Sequence, residues 1–303
     1  MKYFKNIRII TAFSFILLLA ACGSSDGDAK NGQSTEENNL GEALDYTITG
    51  IEPGAGLTGL AKNALEEYDN LEGWTLLESS TVGMIAALDD AIKNEEPIIV
   101  TGWVPHWKFT KYDLKILEDP KGTLGETEQY QTLVRKDLEE DMPEAYQILD
   151  RFYWEVNEVE SILIAAQDVS FEEAAKSWTE QNTEKVNEWT EGVGQVEGEQ
   201  IEIVSTPWDT ERASANVLKV VLEQQGYSVT ITPVDPAIMF QAIATGNGDV
   251  SVAAALPITH GPFYEKYKED IVDLGANLEG IKNGFVVPSY MEIDSIEDLM
   301  PKK

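Results

Sequence analysis

Two tryptophans, a histidine and a glycine-rich turn hold the groups of this chain best suited to recognising a small ligand. Trp103 lies in Thr101-Gly102-Trp103-Val104-Pro105-His106-Trp107, where a strand-like run ends. Trp208 lies in Thr206-Pro207-Trp208-Asp209-Thr210-Glu211. Indole faces attract cations, and a quaternary ammonium is held best by a box of them. The only two histidines, His106 and His260, fall in two matching proline-containing loops. A histidine or a set of backbone amides could meet a carboxylate at the far end of such a ligand. The turn from Gly50 to Leu57 offers such amides. Its glycines let the backbone approach closely, and the helix that follows begins with free N–H groups. The turn lacks the Lys-Ser/Thr pair of a phosphate loop, which argues against a nucleotide.

The elements that must carry these loops occur twice. From Tyr46 to Leu117, and again from Ile201 to Leu274, the chain follows one plan of strand, helix, strand, helix, strand. That order predicts parallel sheets with crossover helices, and two such units predict two lobes with a cleft between them. Leu57, Leu60, Ala61, Ala64, Leu65 and Tyr68 make one helical stripe; Ala213, Val217, Val220 and Val221 make its counterpart, which Gly226 should stop. In open α/β sheets ligands sit beyond the carboxyl ends of the strands, where the loops above fall. Asp209 or Thr210 is expected to cap the helix after Trp208. Further strand-like segments at Tyr130–Val134 and Phe285–Val287 are expected to cross between lobes as a hinge. A helical block from about residue 143 to 192 holds Trp154, Trp178 and Trp189, which with Trp74 are read as packing residues. His106 is read as structural, holding its proline loop.

Composition narrows the partners. The net charge of −32 repels nucleic acid and anionic lipid, so neither is expected as a partner. Residues 45–303 suffice for two lobes with cores of their own. Two histidines, with no His-x-x-x-His spacing, leave no basis for a metal receptor, and no Gly-x-Ser-x-Gly nucleophile motif is present. No metal, cofactor or catalytic residue is therefore expected. At the start, Lys2, Lys5 and Arg8 precede an apolar run from Ile9 to Leu19, closed by Leu19-Ala20-Ala21-Cys22, which has the form of a secretory signal. Residues 23–44 are polar and glycine- and serine-rich, and read as a flexible tether.

Taken together, the motifs resemble those of the substrate-binding lipoproteins of glycine betaine/proline betaine ABC importers. The resemblance runs over the whole chain and rests on Gly50-Ile51-Glu52-Pro53-Gly54-Ala55-Gly56, the Trp103 loop, Leu256-Pro257-Ile258-Thr259-His260-Gly261 and Val286-Val287-Pro288-Ser289-Tyr290-Met291. The order of the halves matches the permuted arrangement of the soil-bacillus type. It implies a two-lobed periplasmic-binding-protein-like α/β fold of type II. Its expected divisions are a signal peptide over 1–21, a lipidated tether over 22–44, one lobe from 45–127 with 284–303, and a second from 128–283. The resemblance further implies an onium cage at Trp103 and Trp208, and a carboxylate site from His260 with the amides of Gly56 and Leu57. Leu-Ala-Ala-Cys resembles a lipobox, which makes Cys22 the lipidation site and places the protein on the outer face of the cell membrane. The implied partners are a small zwitterionic onium solute and a permease with its ATPase, with the binding protein itself a monomer. One departure stands out. The family carries a third cage tryptophan before that Leu-Pro, and this chain has Ala255. Phe240, Phe263, Tyr264 and Trp107 are candidates to fill the gap. Alternatively the cage is wider, for proline betaine, carnitine, choline or a sulfonium such as dimethylsulfoniopropionate, or binds glycine betaine loosely.

Overall fold

A computed structural model describes residues 37–303; the signal-like segment and Cys22 lie outside the described residues. The first sheet is built from β1 (Thr47–Thr49), β2 (Thr75–Leu77) and β3 (Val100–Val104), parallel in the order β2-β1-β3. The strand β4 (Leu114–Ile116) completes that lobe. The second sheet contains β5 (Glu128–Arg135), β6 (Gln200–Ser205), β7 (Ser228–Pro233) and β8 (Val250–Leu256). There β7, β6 and β8 run parallel, and β5 runs antiparallel to β8. The halves therefore share one plan, as the repeated sequence pattern predicts, and the architecture is a two-lobed type II α/β fold.

One strand belongs to both sheets. β9 (Ile271–Pro288) pairs antiparallel with β5 from Ile271 to Ile281, then with β3 from Lys282 to Val286. Its last residues also pair with β4, Val286 opposite Ile116 and Pro288 opposite Leu114. From the sequence this segment shows as a strand only at Phe285–Val287. Gly275 and Gly280 lie at φ of +96° and +89° and the register against β5 slips, so the alternation that marks a strand is lost.

Helices cover both sheets. In the first lobe, α1 (Glu37–Ala43) precedes β1, α2 (Gly56–Glu67) and α3 (Thr81–Asn94) are the crossovers, and α4 (Lys108–Lys111) follows β3. The stretch expected to be a tether up to residue 44 thus ends in a helix. Leu40 and Leu44 stand one turn apart, joined by a 3.0 Å amide hydrogen bond, and both pack on the core. Leu57, Ala61 and Ala64 are buried along α2 as the stripe requires, with Tyr68 closing it.

The helical block comprises α5 (Leu138–Asp141), α6 (Pro143–Arg151), α7 (Val156–Ala165), α8 (Phe171–Gln181) and α9 (Thr183–Thr190). The remaining helices are α10 (Asp209–Gln224), α11 (Pro236–Thr245) and α12 (Gly261–Tyr267). Trp154, Trp178 and Trp189 are core residues here: Trp178 stacks on Trp189 with centroids 6.1 Å apart and meets Trp154 edge-on at 5.7 Å. Trp74 is likewise buried and donates to the Met300 carbonyl. Gly226, at φ +97°, follows α10; a Cβ there would stand 2.0 Å from the Val196 carbonyl oxygen.

Candidate ligand site

The loops at the carboxyl ends of β1, β3, β6 and β8 meet between the lobes. Trp103, Trp208, His260, Gly56, Leu57 and Ala255, drawn from both halves of the sequence, line one cavity. Trp103 comes from β3, and Trp208 immediately precedes α10. Their ring centroids are 6.4 Å apart and the planes make 63°, so they form two walls of a corner. Hydrogen bonds to the opposite lobe fix each wall. The Trp103 indole donates to the Thr210 hydroxyl at 3.1 Å, which itself donates to the Pro105 carbonyl at 2.9 Å. The Trp208 indole donates to Glu52 Oε2 at 3.1 Å, and Trp107 donates to Asp209 Oδ2 at 2.7 Å. The expectation that Asp209 or Thr210 caps α10 therefore fails. Trp208 is the N-cap residue, without a side-chain cap, and both polar side chains reach across the cleft instead.

Glu52 is the anchor on the first lobe. Burial raises its carboxyl, but hydrogen bonds from the Thr81 amide and hydroxyl and the Trp208 indole outweigh that and hold it below the usual range.

His260 and the start of α2 bring N–H donors to this cavity. The Ala255 amide donates to His260 Nδ1 at 3.1 Å, which leaves the ring proton on Nε2, and Nε2 has no protein partner. Burial pushes the imidazole down to about 4, against a raising pull from the Ala253 backbone, so the ring is a neutral donor at physiological pH. Gly56 and Leu57 open α2, whose N-cap, Ala55, supplies no side-chain acceptor. Their first-turn N–H groups have no intrahelical carbonyl to meet. Gly56 also explains its own identity: a Cβ there would stand 2.3 Å from the Thr259 carbonyl oxygen on the opposite lobe. Close approach of the two lobes requires glycine at this place.

The cavity has further lining residues that the sequence did not single out. Tyr130 stands directly across the β5–β8 ladder from Ala255, and its hydroxyl donates to Glu211 Oε1 at 2.7 Å. Glu211 is buried; burial pushes its carboxyl up to about 7, against the lowering pull of the Tyr130 hydrogen bond. The four aromatics named from sequence to fill the space at Ala255 do not line the cavity. Phe240 and Phe263 pack against His260 from the core side, Trp107 serves Asp209, and Tyr264 bonds Asp273. The neighbour of Ala255 is Tyr130. No periodicity marks it, because strand register alone brings these two residues together.

Two buried polar groups frame the site. Glu128, at the start of β5, accepts from the Ile258 and Thr259 amides at 3.0 Å each, from the Thr259 hydroxyl, and from Asn283 Nδ2 at 3.1 Å. Lys108 is fully buried behind Trp103, its ammonium 4.7 Å from that ring's centroid and without a hydrogen-bond partner. Burial lowers it to about 7, with Asp209 pulling the other way. His106 is buried beside it, its Nδ1 accepting from the Lys108 amide at 3.1 Å and its ring edge-on to Trp103 at 4.8 Å. This matches the structural reading of His106.

Comparison with known proteins points in one direction. The family described as the substrate binding domain of ABC-type glycine betaine transport systems matches residues 28–181 and 199–303. The chain is 45% identical over 304 residues, 99% of each sequence, to the glycine betaine/carnitine transport binding protein GbuC of Listeria monocytogenes serotype 1/2a (strain 10403S). Among solved structures, lactococcal OpuAC in its closed form with glycine betaine is 43% identical. That superposition covers 48% of this chain and 58% of the other, with a TM-score of 0.45. A glycine betaine/L-proline-binding protein, ProX, from Borrelia burgdorferi is 28% identical, covering 53% of this chain and 62% of its own, with a TM-score of 0.44.

Proposed function

Since the chain belongs to the family of substrate-binding domains of ABC-type glycine betaine transport systems, we propose that it captures glycine betaine or a related methylated onium zwitterion for uptake in osmoprotection. It is a transport component and not an enzyme. The observation that carries the ligand reading is the convergence of two indole walls, a neutral histidine donor and a helix N-terminus on one cavity. Onium methyls rest against Trp103 and Trp208, while the carboxylate accepts from His260 Nε2 and the Gly56 and Leu57 amides. The lobes are residues 45–127 with 284–303, and 128–283. A ligand touching both stabilises the closed state, because only that state makes both sets of contacts.

The closed protein, a monomer held at the outer membrane face through lipidated Cys22, then docks on a permease driven by its ATPase. Ala255, in place of the family's third cage tryptophan, opens a second reading with a different onium ligand: proline betaine, carnitine, choline or dimethylsulfoniopropionate. Calorimetric titration of residues 23–303 with glycine betaine and these four compounds, beside a Trp103→Ala control, tests both readings. Binding of zwitterions that the control loses supports the cage, and their ranking identifies the ligand. A folded protein that binds none of them refutes it.

A further inference from the structure

The cavity that we read as an onium cage contains an acid with no basic partner. Glu211 lines it and is buried, and among the described residues no lysine or arginine forms an ion pair with it. The nearest guanidinium in sequence, Arg212, pairs with Asp209 and lies over Phe171 instead. One oxygen of Glu211 takes the Tyr130 hydroxyl; the other, Oε2, has no hydrogen bond. Buried carboxyls are ordinarily paired or neutral, and this one faces the place where a permanent cation is expected.

We propose that Tyr130 and Glu211 together form the third wall of the cage, with the Glu211 carboxylate supplying the counter-charge to the bound onium. This rests on the ligand reading above. The pair suits the task in two ways. Tyr130 stands beside Ala255 across the ladder and lines the same cavity, so its ring is the aromatic surface next to the position where the family carries tryptophan. Donation of its hydroxyl to a carboxylate leaves the ring richer in electrons, which strengthens its attraction for a cation.

The proposal has a proton signature. The groups around Glu211 are Tyr130 and Glu128 on β5, Asp209 on its own helix, the Thr206 hydroxyl, the two indoles, the neutral His260, and Lys108 behind Trp103. With its carboxyl at about 7, Glu211 is partly protonated in the empty site near neutral pH. An arriving cation favours the carboxylate, so the proton leaves to the buffer. Glycine betaine has no group that titrates near pH 7, so any released proton comes from the protein. Lys108 would also release a proton when a cation approaches, which makes it the competing source.

Glycine betaine is titrated into the wild-type chain at pH 7 in phosphate and in Tris, whose ionisation enthalpies differ. The expected result is a buffer-dependent enthalpy equal to release of up to about half a proton. Glu211→Gln, which keeps the size and the Tyr130 contact, should abolish most of that release and weaken binding roughly tenfold. Lys108→Met should leave most of the release in place. Wild-type binding with no buffer dependence overturns the inference while leaving the cage reading intact. So does release that survives Glu211→Gln and disappears in Lys108→Met. Absence of onium binding altogether sinks both.

Discussion

Replacing Lys108 by methionine should stabilise the ligand-free protein, and by more in acid than in base. The ammonium is fully buried, unpartnered, and lowered from 10.5 to about 7. Below about pH 7 both folded and unfolded chains hold the proton, and the folded state bears the whole penalty. At 1.36 kcal/mol per unit that is about 5 kcal/mol. Above pH 7 the folded chain has lost the proton while the unfolded chain keeps it until about pH 10.5. Wild-type stability therefore rises with pH through that window, and the penalty shrinks to about 2 kcal/mol at pH 9. The faces of Trp103 and Phe109, with centroids 4.7 and 5.0 Å from Nζ, return up to about 2 kcal/mol when the lysine is charged. The advantage of Lys108→Met should then be about 3–5 kcal/mol at pH 6 and about 1–3 kcal/mol smaller at pH 9. Urea denaturation of both proteins at the two pH values measures it. The added apolar burial of methionine is independent of pH and cancels in the comparison. An equal gain at pH 6 and pH 9 would refute the claim that a buried charge lies behind Trp103.

Three other substitutions probe the site. Gly56→Ala places a methyl 2.3 Å from the Thr259 carbonyl and should hold the lobes apart. Calorimetry should show at least a tenfold loss of glycine betaine affinity, about 1.4 kcal/mol or more, while scattering shows no compaction on adding ligand. His260→Ala removes the Nε2 donor and should weaken carboxylate-bearing ligands by about 1–3 kcal/mol, while leaving choline, which has no carboxylate, nearly unaffected. Equal losses for both would place the carboxylate elsewhere. Glu52→Gln loosens the Trp208 indole from its charged anchor and should cost about tenfold in affinity. Because the Glu52 carboxyl is held below its ordinary range, its contribution to stability is present at neutral pH and is lost as pH falls through that depressed value. The stability advantage of wild type over Glu52→Gln, measured by urea denaturation, should therefore be full at neutral pH and shrink as pH falls through that depressed value; a difference that does not change with pH would refute it.

Much of the site was legible because it is written in local signals. The repeated strand–helix order, the proline loops around Trp103 and His260, and the glycine turn at Gly56 each occupy a few consecutive residues. The helix stripe at Leu57, Ala61 and Ala64 is equally local. What escaped depends on contacts between distant segments. Tyr130 meets Ala255 only through the register of β5 on β8, and Glu211 acquires meaning only because Tyr130 reaches it. Asp209 and Thr210 have the chemistry of helix caps, but the opposing lobe offers indole and carbonyl partners that take them instead. The end of the expected tether carries no helix signal of its own, because a two-leucine helix needs the core of the first lobe before it gains anything by folding. The length of β9 was hidden by its glycines.

That long strand makes the joint between the lobes a torsion bar. A flexible loop would let the halves move while their ligand loops stayed undisturbed. Here the change of partner falls between Ile281 and Lys282, and the next residue, Asn283, bonds both Glu128 and the Thr259 hydroxyl. Glu128 in turn grips the amides of Ile258 and Thr259, one step from His260. A twist at the shared strand therefore acts directly on the hydrogen bonds that hold the loop before His260.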